Sequence, residues 1–281
     1  MKKTERAEAL AFTLKLAEDA SKILMNRSEK LFTKPLKLIH KGSLGLTSEA
    51  DLKSEELVIS RIQRKYPHHE ILAEEDSYVR KLKIQGPDDN DQYTWLIDPL
   101  DGTNNFLNGL PFFCVSLALV KGFEVQVAVV HNPIIGETFY ATKGGGAYLT
   151  RKFGKKKLTK KLRAPVVSQP LKDALISTNL GSRRHNAELI RKFPQVRAFR
   201  RLGSAALELC YVASGILDVY WEYHLQPWDI AAGGLICQEA GVPISDIQGR
   251  SFHPYHPSVL AARSPLYEDV LTILKSEKSP I

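Results

Sequence analysis

Carboxylate residues at the ends of predicted strands and helices are the groups in this sequence best suited to chemistry. The run 95–106 reads WLIDPLDGTNNF, in which an apolar strand leads into Asp98 and Asp101. Pro99 interrupts strand pairing and Gly102 permits a tight turn, so both aspartates should lie at the end of the strand, beside the start of a short helix. The unpaired N–H groups at such a start can hold a phosphate. The segment therefore predicts two carboxylates beside a phosphate site.

Three further acidic residues occupy comparable positions. Glu74 follows a short apolar run, Asp229 lies in the first turn of a predicted helix, and Asp51 begins another predicted helix. Carboxylates that gather in one place repel one another, so they need a cation to offset their charge. Ligands that are all oxygen favour magnesium, which is usually held by a few carboxylates together with substrate phosphate. These residues therefore predict a magnesium site.

Each candidate also has a simpler, structural interpretation. The simpler roles are an Asp-rich turn for Asp98 and Asp101, a solvated charge for Glu74 with Glu75 or Asp76 as the ligand instead, a helix-dipole partner for Asp229, a capping box with Ser48 for Asp51, and a helix cap for Thr103. Each of these roles needs only local sequence. The alternatives therefore remain open at the level of the motifs alone.

Hydrophobic spacing and turn residues predict the elements that must position these groups. The expected elements are helices over 10–24 and after Ser48, a loop or flexible hairpin over 34–47, antiparallel strands at 115–120, 125–130 and 138–141, and a basic surface turn at 152–161 that marks a possible boundary between halves. In the second half, short strands at 174–177, 198–200, 217–220 and 259–261 alternate with helices at 204–213, 228–240 and 265–276. This alternation predicts an α/β layer.

The composition is that of a folded globular chain. The 281 residues are 43% hydrophobic and 25% charged, which is close to the average for such proteins. Lys15, Glu18 and Asp19 interrupt the first apolar residues, so no signal peptide or membrane span is predicted. The 3 cysteines lie far apart in apolar stretches, as is typical of reduced thiols and of a cytoplasmic protein. A net charge of +8 favours a phosphorylated ligand or a polyanion without identifying it.

Three motifs in order resemble those of the inositol monophosphatase family of magnesium-dependent, lithium-sensitive phosphatases. They are EED at 74–76, DPLDGTNNF at 98–106 and PWDIAAG at 227–233. The likeness extends from about residue 5 to about residue 275, with the family's order and approximate spacing. It therefore covers nearly the whole chain.

The resemblance implies two to three magnesium ions and a role for each candidate residue. It places the first ion on Glu74, Asp98 and the carbonyl of Leu100, a second on Asp98, Asp101 and Asp229, and a third, more weakly held, on Glu74 through water. It also assigns the attacking water to Thr103 and Asp51, the phosphate to the backbone of Gly102 and Thr103, and the alcohol hydroxyls of the substrate to Ser204, Ala205 and Glu222.

The fold that the resemblance implies is a layered α-β-α-β-α sandwich of the α/β (α+β) class, of the inositol monophosphatase and fructose-1,6-bisphosphatase type. We expect an N-terminal half over 1–150 with the antiparallel sheet and most metal ligands. The C-terminal half over 151–281 is expected to supply Asp229 and the substrate contacts. Family members are commonly homodimers, and the resemblance implies a homodimer here.

The expected activity is hydrolysis of a small phosphorylated polyol or sugar, with inositol monophosphate as the first candidate. Alternatives within the same class are fructose 1,6-bisphosphate, histidinol phosphate and 3′-phosphoadenosine 5′-phosphate. An alternative from another class is an RNA- or transcription-associated binding protein that uses its basic surface, as one bacterial relative in the family does. The lysines of 152–161 are the residues in question, and a solvated hairpin tip is their simpler interpretation.

Overall fold

The computed structural model describes residues 1–30, 38–40, 46–80, 86–87, 91–164, 169–179, 193 and 195–276. Most of the loop predicted at 34–47 lies outside these residues, although 38–40 and 46–48 pair as two short antiparallel strands. No helix in the described part of the chain is both long and apolar enough to cross a membrane.

Helices form at each place where the sequence predicts one. They are α1 (Lys3–Lys30), α2 (Glu49–Lys65), α3 (Glu74–Arg80), α4 (Thr103–Leu107), α5 (Ala205–Ser214), α6 (Pro227–Ala240) and α7 (Leu266–Lys275), with a 3-10 turn at Leu171–Asp173. Ser48 caps α2 in a capping box with Asp51, which confirms the prediction that a helix begins there.

Strands make up the rest of the regular structure. In chain order they are β1 (Leu38–His40), β2 (Leu46–Ser48), β3 (Glu70–Ala73), β4 (Tyr93–Asp101), β5 (Cys114–Lys121), β6 (Glu124–Asn132), β7 (Glu137–Thr142), β8 (Gly146–Phe153), β9 (Lys156–Lys161), β10 (Leu175–Thr178), β11 (Ala198–Arg200), β12 (Val219–Tyr223), β13 (Ile244–Ser245) and β14 (Ser258–Ala262). The predicted division of the chain at residue 150 stays a prediction; β8 spans that position.

Two large sheets contain most of these strands. Within the described residues, the larger sheet has seven strands in chain order from β3 to β9, and the smaller has five in the order β11-β10-β12-β14-β13. In the larger sheet β3 is parallel to β4 and every later pair is antiparallel. The predicted consecutive hairpins are therefore confirmed, and the segment predicted as a basic turn also contains the edge strand β9.

The layers follow the predicted order α-β-α-β-α. Helices α1 and α2 pack on one face of the larger sheet, α5 and α6 lie between the two sheets, and α7 covers the outer face of the smaller sheet. Alternation along β4 shows why both faces of the larger sheet are covered. Trp95 and Ile97 enter the core beneath α1 and α2, whereas Leu96 enters the core beneath α5 and α6.

Helices α5 and α6 approach each other closely at Gly233. A Cβ atom placed on Gly233 would lie 2.6 Å from Cβ of Leu209 and 3.2 Å from the carbonyl oxygen of Ala206. Real Cβ atoms do not approach so closely, so the absence of a side chain at this position allows the two helices to pack. The first turns of both helices carry parts of the site described below.

Candidate active site

A register shift at the end of β4 re-aims two aspartates. Asp98 pairs with Ser116 on β5 and Asp101 with Cys114, so three steps on β4 oppose two steps on β5. Residues three apart in a regular strand point to opposite faces, and this bulge breaks that alternation at Pro99. Asp98 is 2% exposed and Asp101 is 8% exposed. The predicted end-of-strand carboxylates are therefore both buried.

The turn after β4 depends on Gly102. Its φ is +97°, a conformation that L side chains rarely adopt, and a Cβ atom there would lie 2.9 Å from the carbonyl oxygen of Phe112. Helix α4 begins at the next residue, Thr103. The predicted strand, turn and short helix are thus all present, and the backbone of Gly102 and Thr103 lies beside the two aspartates.

Asp101 joins the larger sheet to the start of α5. Its Oδ2 accepts hydrogen bonds from Oγ of Ser204 at 2.7 Å and from the backbone N–H of Ala206 at 2.8 Å. The Sγ of Cys114 donates to the same oxygen at 3.7 Å. Asp101 therefore satisfies unpaired groups at the N-terminus of α5, and α5 in turn fixes the orientation of its carboxylate.

Asp229 is held beside Asp98 by two short links. The Oδ2 of Asp229 accepts the backbone N–H of Gln226 at 2.7 Å, in a capping box at the start of α6. The hydroxyl of Ser116, the register partner of Asp98, donates to the carbonyl oxygen of Trp228 at 3.2 Å. The start of α6 is therefore attached to the strand that faces Asp98.

Glu74 enters the site from the other side of β4. The parallel pairing of β3 and β4 extends to Ala73 and Ile97, so Glu74 and Asp98 are the next residues on the two strands. Glu74 is the first residue of α3. Its negative charge raises the pKa values of Asp98, Asp101 and Asp229. Segments at 74, 98–101 and 229 therefore share one electrostatic environment, as the sequence predicts.

Burial and mutual repulsion disfavour the ionised forms of these aspartates. Burial raises the pKa of Asp98 well above its ordinary range, and the charges of Glu74, Asp101 and Asp229 raise it further. Burial also raises the pKa of Asp229, with smaller contributions from Asp101 and Glu74. The pKa of Asp101 rises to about 6, because burial outweighs its hydrogen bonds to Ser204 and Ala206. A divalent cation would reverse this balance in favour of the carboxylates.

Asp51 has both a capping role and a second partner. Its Oδ2 accepts the backbone N–H of Ser48 at 3.0 Å and the Ser48 hydroxyl at 2.5 Å. The hydroxyl of Thr103 lies 3.2 Å from Oδ1 of Asp51 and 3.0 Å from the carbonyl oxygen of Leu100. Burial raises the pKa of Asp51 to about 6. The capping box is therefore compatible with a chemical role, because it uses only one of the two carboxylate oxygens.

The residues predicted to contact substrate lie on α5 and on the smaller sheet. Ser204 is the N-cap residue of α5 and Ala205 is its first residue. Glu222 lies on β12, where its Oε2 accepts the hydroxyl of Tyr220 at 2.5 Å. Burial raises the pKa of Glu222 to about 7, and the charge of Asp101 adds to this rise. Glu222 therefore belongs to the same acidic environment as the aspartates.

Comparison with known proteins identifies the family. The model of the inositol monophosphatase family matches residues 5–279. The chain belongs to the inositol monophosphatase family. It is 36% identical over 255 residues to inositol monophosphatase 2 of Solanum lycopersicum, covering 88% of this chain and 92% of that relative. It is 36% identical over 231 residues to Nus factor SuhB of Vibrio cholerae serotype O1, covering 79% of each chain.

A solved structure agrees with this assignment. The extragenic suppressor protein suhB from Bartonella henselae has 30% sequence identity, covers 96% of this chain and 100% of its own, and has a TM-score of 0.79. The inositol monophosphatase fold implied by the motifs is therefore confirmed.

The donor set of this inositol monophosphatase family member fits a divalent cation. All the donors are oxygens, and Asp98, Asp101 and Asp229 each receive their hydrogen bonds from the described residues at one oxygen. Across the described ranges, no three acidic, histidine or cysteine side chains are already gathered around one metal position. The carboxylates are therefore coupled by charge and share a location without forming a closed cluster. The chemistry, charge and placement of the set suit magnesium.

Two buried glutamates near the site were not singled out by the sequence. Glu208 accepts the backbone N–H groups of Gly203 and Ser204 at 3.2 Å each. Glu55 accepts N–H groups at the start of α3. A helical spacing of four residues from Asp51 to Glu55 was the available signal that both lie on one face of α2. The partners of both glutamates are backbone groups, which carry no sequence signature.

Proposed function

We propose that this protein is a magnesium-dependent phosphomonoesterase that hydrolyses a small phosphorylated polyol, with inositol monophosphate as its substrate. The observation that carries the proposal is that Glu74, Asp98, Asp101 and Asp229 enter one mutually coupled acidic environment from segments far apart in the chain. Hydrolysis of phosphate monoesters is so slow in water that enzymes accelerate it by up to about 10²¹-fold. Side chains acting without a strong electrophile do not account for that acceleration, whereas carboxylate-bound cations do.

The residues that would hold magnesium are those that the family resemblance assigns. Glu74, Asp98 and the carbonyl of Leu100 would hold one ion, Asp98, Asp101 and Asp229 a second, and Glu74 would share a third through water. When bound, magnesium supplies a Lewis acid that lowers the pKa of a coordinated water and offsets the charge of the phosphate. Hydrogen bonds from Gln226, Ser204 and Ala206 keep the carboxylates of Asp229 and Asp101 oriented for this task.

Asp51 and Thr103 are proposed to direct and deprotonate the attacking water. When the Thr103 hydroxyl donates to Oδ1 of Asp51, its oxygen is left to accept a hydrogen bond from that water. The proton then passes to the Asp51 carboxylate. A pKa of about 6 suits this exchange near neutral pH.

The remaining candidates are proposed to bind the two halves of the ester. The backbone N–H groups of Gly102 and Thr103 would hold the phosphate. Ser204, Ala205 and Glu222 would face the alcohol hydroxyls, and Glu222 is suited to this because it is an acceptor surrounded by other polar groups. Fructose 1,6-bisphosphate, histidinol phosphate and 3′-phosphoadenosine 5′-phosphate are the alternative substrates.

A panel of phosphate esters assayed with and without magnesium tests this function. We expect phosphate release from inositol 1-phosphate in the presence of magnesium and none after chelation. Preferential release from one of the three alternative esters would reassign the substrate. Absence of release from every polyol, sugar and nucleotide phosphate would contradict the proposal.

Binding of RNA is a second candidate function, favoured by the β8–β9 hairpin. Strand β9 is exposed at all six positions and carries four lysines, at 156, 157, 160 and 161. Relatives named Nus factor SuhB are among the similar proteins. This role predicts RNA binding that weakens steeply with salt and is unchanged in Asp98→Asn. No binding at low salt would exclude it.

We further propose that the protein is a lithium-sensitive homodimer of the cytoplasm, as the family resemblance implies. Light scattering at micromolar concentration should give about twice the mass of one chain. Phosphate release should fall when lithium is added at constant magnesium. A monomeric mass or a lithium-independent rate would contradict the corresponding part.

A further inference from the structure

Glu55 connects the two helices that carry Asp51 and Glu74. Its Oε2 accepts the backbone N–H of Glu75 at 2.9 Å, and its Oε1 accepts the backbone N–H of Asp76 at 2.7 Å. Glu55 is 4% exposed and belongs to α2, one turn after Asp51. One side chain from α2 therefore binds the first turn of α3 through both of its carboxylate oxygens.

This contact fixes the backbone directly after Glu74. The first N–H groups of a helix have no partner within that helix, so α3 must obtain them from elsewhere. Because Glu55 takes two consecutive N–H groups, it restrains both the position and the rotation of the first turn. Glu74 is the first residue of that turn, so the direction of its side chain is restrained as well.

The arrangement is costly for stability alone. Glu55 is buried, and the charges of Glu75 and Glu74 act against its ionised form. A serine or asparagine next to α3 would satisfy the same N–H groups without burying another negative charge. A reach across from α2 provides what such a local cap does not, namely a fixed distance between α2 and α3.

We infer that Glu55 is a positioning residue that holds Glu74 in register with Asp51 and so sets the affinity of the site for divalent cations. The inference rests on the proposed function. Glu55 itself touches neither the metal nor the substrate. Its loss should therefore weaken metal binding more than it slows the reaction at saturating metal.

The test compares Glu55→Gln, Glu55→Asp and the control Glu56→Gln in the full-length chain. Glu56 is the next residue on α2 and is exposed, so its substitution removes one charge from the same helix without touching α3. Manganese alone, without substrate, is titrated into each protein by calorimetry. Hydrogen exchange of the Glu75 and Asp76 amides reports the contact itself.

We expect both Glu55 variants to bind manganese about tenfold more weakly than the wild type, in line with the effect of outer-shell partners in other metal sites. The amides of Glu75 and Asp76 should exchange faster, and Glu56→Gln should match the wild type in both measurements. Phosphate release by Glu55→Asp should recover at high magnesium, because this variant keeps its charge.

Two results would overturn the inference. Wild-type manganese affinity in Glu55→Asp would mean that the charge of Glu55 matters and its reach does not. Loss of the folded state in both Glu55 variants would mean that the contact is structural. If the wild-type protein binds manganese but hydrolyses no ester, the proposed function fails while the role of Glu55 in metal binding stands.

Discussion

Asp98 is the residue at which activity and stability oppose each other most directly. Its carboxylate is 2% exposed and lies among like charges, so its pKa is well above the ordinary range. An asparagine keeps an oxygen for the N–H of Leu100, which lies 2.9 Å from Oδ1 of Asp98, and removes the buried charge. The same charge is the one that the proposed reaction requires.

We predict that Asp98→Asn removes most phosphate release, by about 100-fold or more, and raises the free energy of unfolding without metal by about 0.5–2 kcal/mol. Magnesium-dependent phosphate release and urea unfolding in a chelator measure the two effects. Asp173→Asn is the control, because Asp173 is exposed on the 3-10 turn and should change neither. Near-normal activity of Asp98→Asn would contradict its assignment as a ligand.

His131 gives a prediction for pH. Burial lowers the pKa of His131 from 6.5 to about 4, so the folded protein keeps it neutral where the unfolded chain takes up a proton. The free energy of unfolding should therefore fall as pH drops from 6.5 towards 4, by about 3 kcal/mol in total from this group. His131→Gln lacks that loss. Between pH 7 and pH 5 the wild type should lose about 2 kcal/mol more than this variant in urea unfolding, and equal losses would refute the assignment.

Local pairs at the site were predictable from sequence, and distant ones were not. The capping box of Ser48 and Asp51 spans three residues and has a known pattern, so it could be predicted. The bond between Ser204 and Asp101 joins residues 103 positions apart and depends on how α5 docks on β4. The place of Ser204 near the site came only from the family resemblance.

Among the elements, hairpins were predicted well because their turn residues are adjacent in sequence. Strands β5, β6 and β7 follow one another through short turns and pair in chain order. The smaller sheet is different, since β10 is parallel to both β11 and β12 and β14 lies between β12 and β13. Its strands were found, but their order results from packing between distant segments, which periodicity does not report.

The close approach of α5 and α6 yields a prediction at this scale. Gly233→Ala would ordinarily stabilise a helix by up to about 1 kcal/mol. Here the new Cβ would meet Leu209 at 2.6 Å, at an atom attached to the backbone, so the helices must separate. We expect a loss of about 1–3 kcal/mol in urea unfolding, with reduced phosphate release because α6 carries Asp229. A gain in stability would show that the two helices have room to spare.

At the scale of the whole molecule, the site is where the layers meet. The larger sheet supplies Asp98 and Asp101, helices α2 and α3 on one side supply Asp51 and Glu74, and α6 on the other side supplies Asp229. A cation bound among them would link elements from different layers. The order of these layers was implied by the family motifs rather than by composition or periodicity, because layer order depends on contacts across the whole chain.

Metal binding should therefore stabilise the whole fold. Magnesium at about 100 times its dissociation constant should add about 2.7 kcal/mol to the free energy of unfolding if it binds the folded state alone. Thermal unfolding of the wild type should shift upward with magnesium, whereas that of Asp229→Asn should shift much less. Equal shifts in the two proteins would place the stabilising ion elsewhere.

The central claim is that carboxylates from distant segments bind divalent cations at one place. An anomalous difference map of crystals soaked in manganese tests it most directly. We predict peaks bounded by the carboxylates of Asp98, Asp101 and Asp229, with Glu74 on the side of α3. A map with no peak among these side chains at saturating manganese would contradict the account.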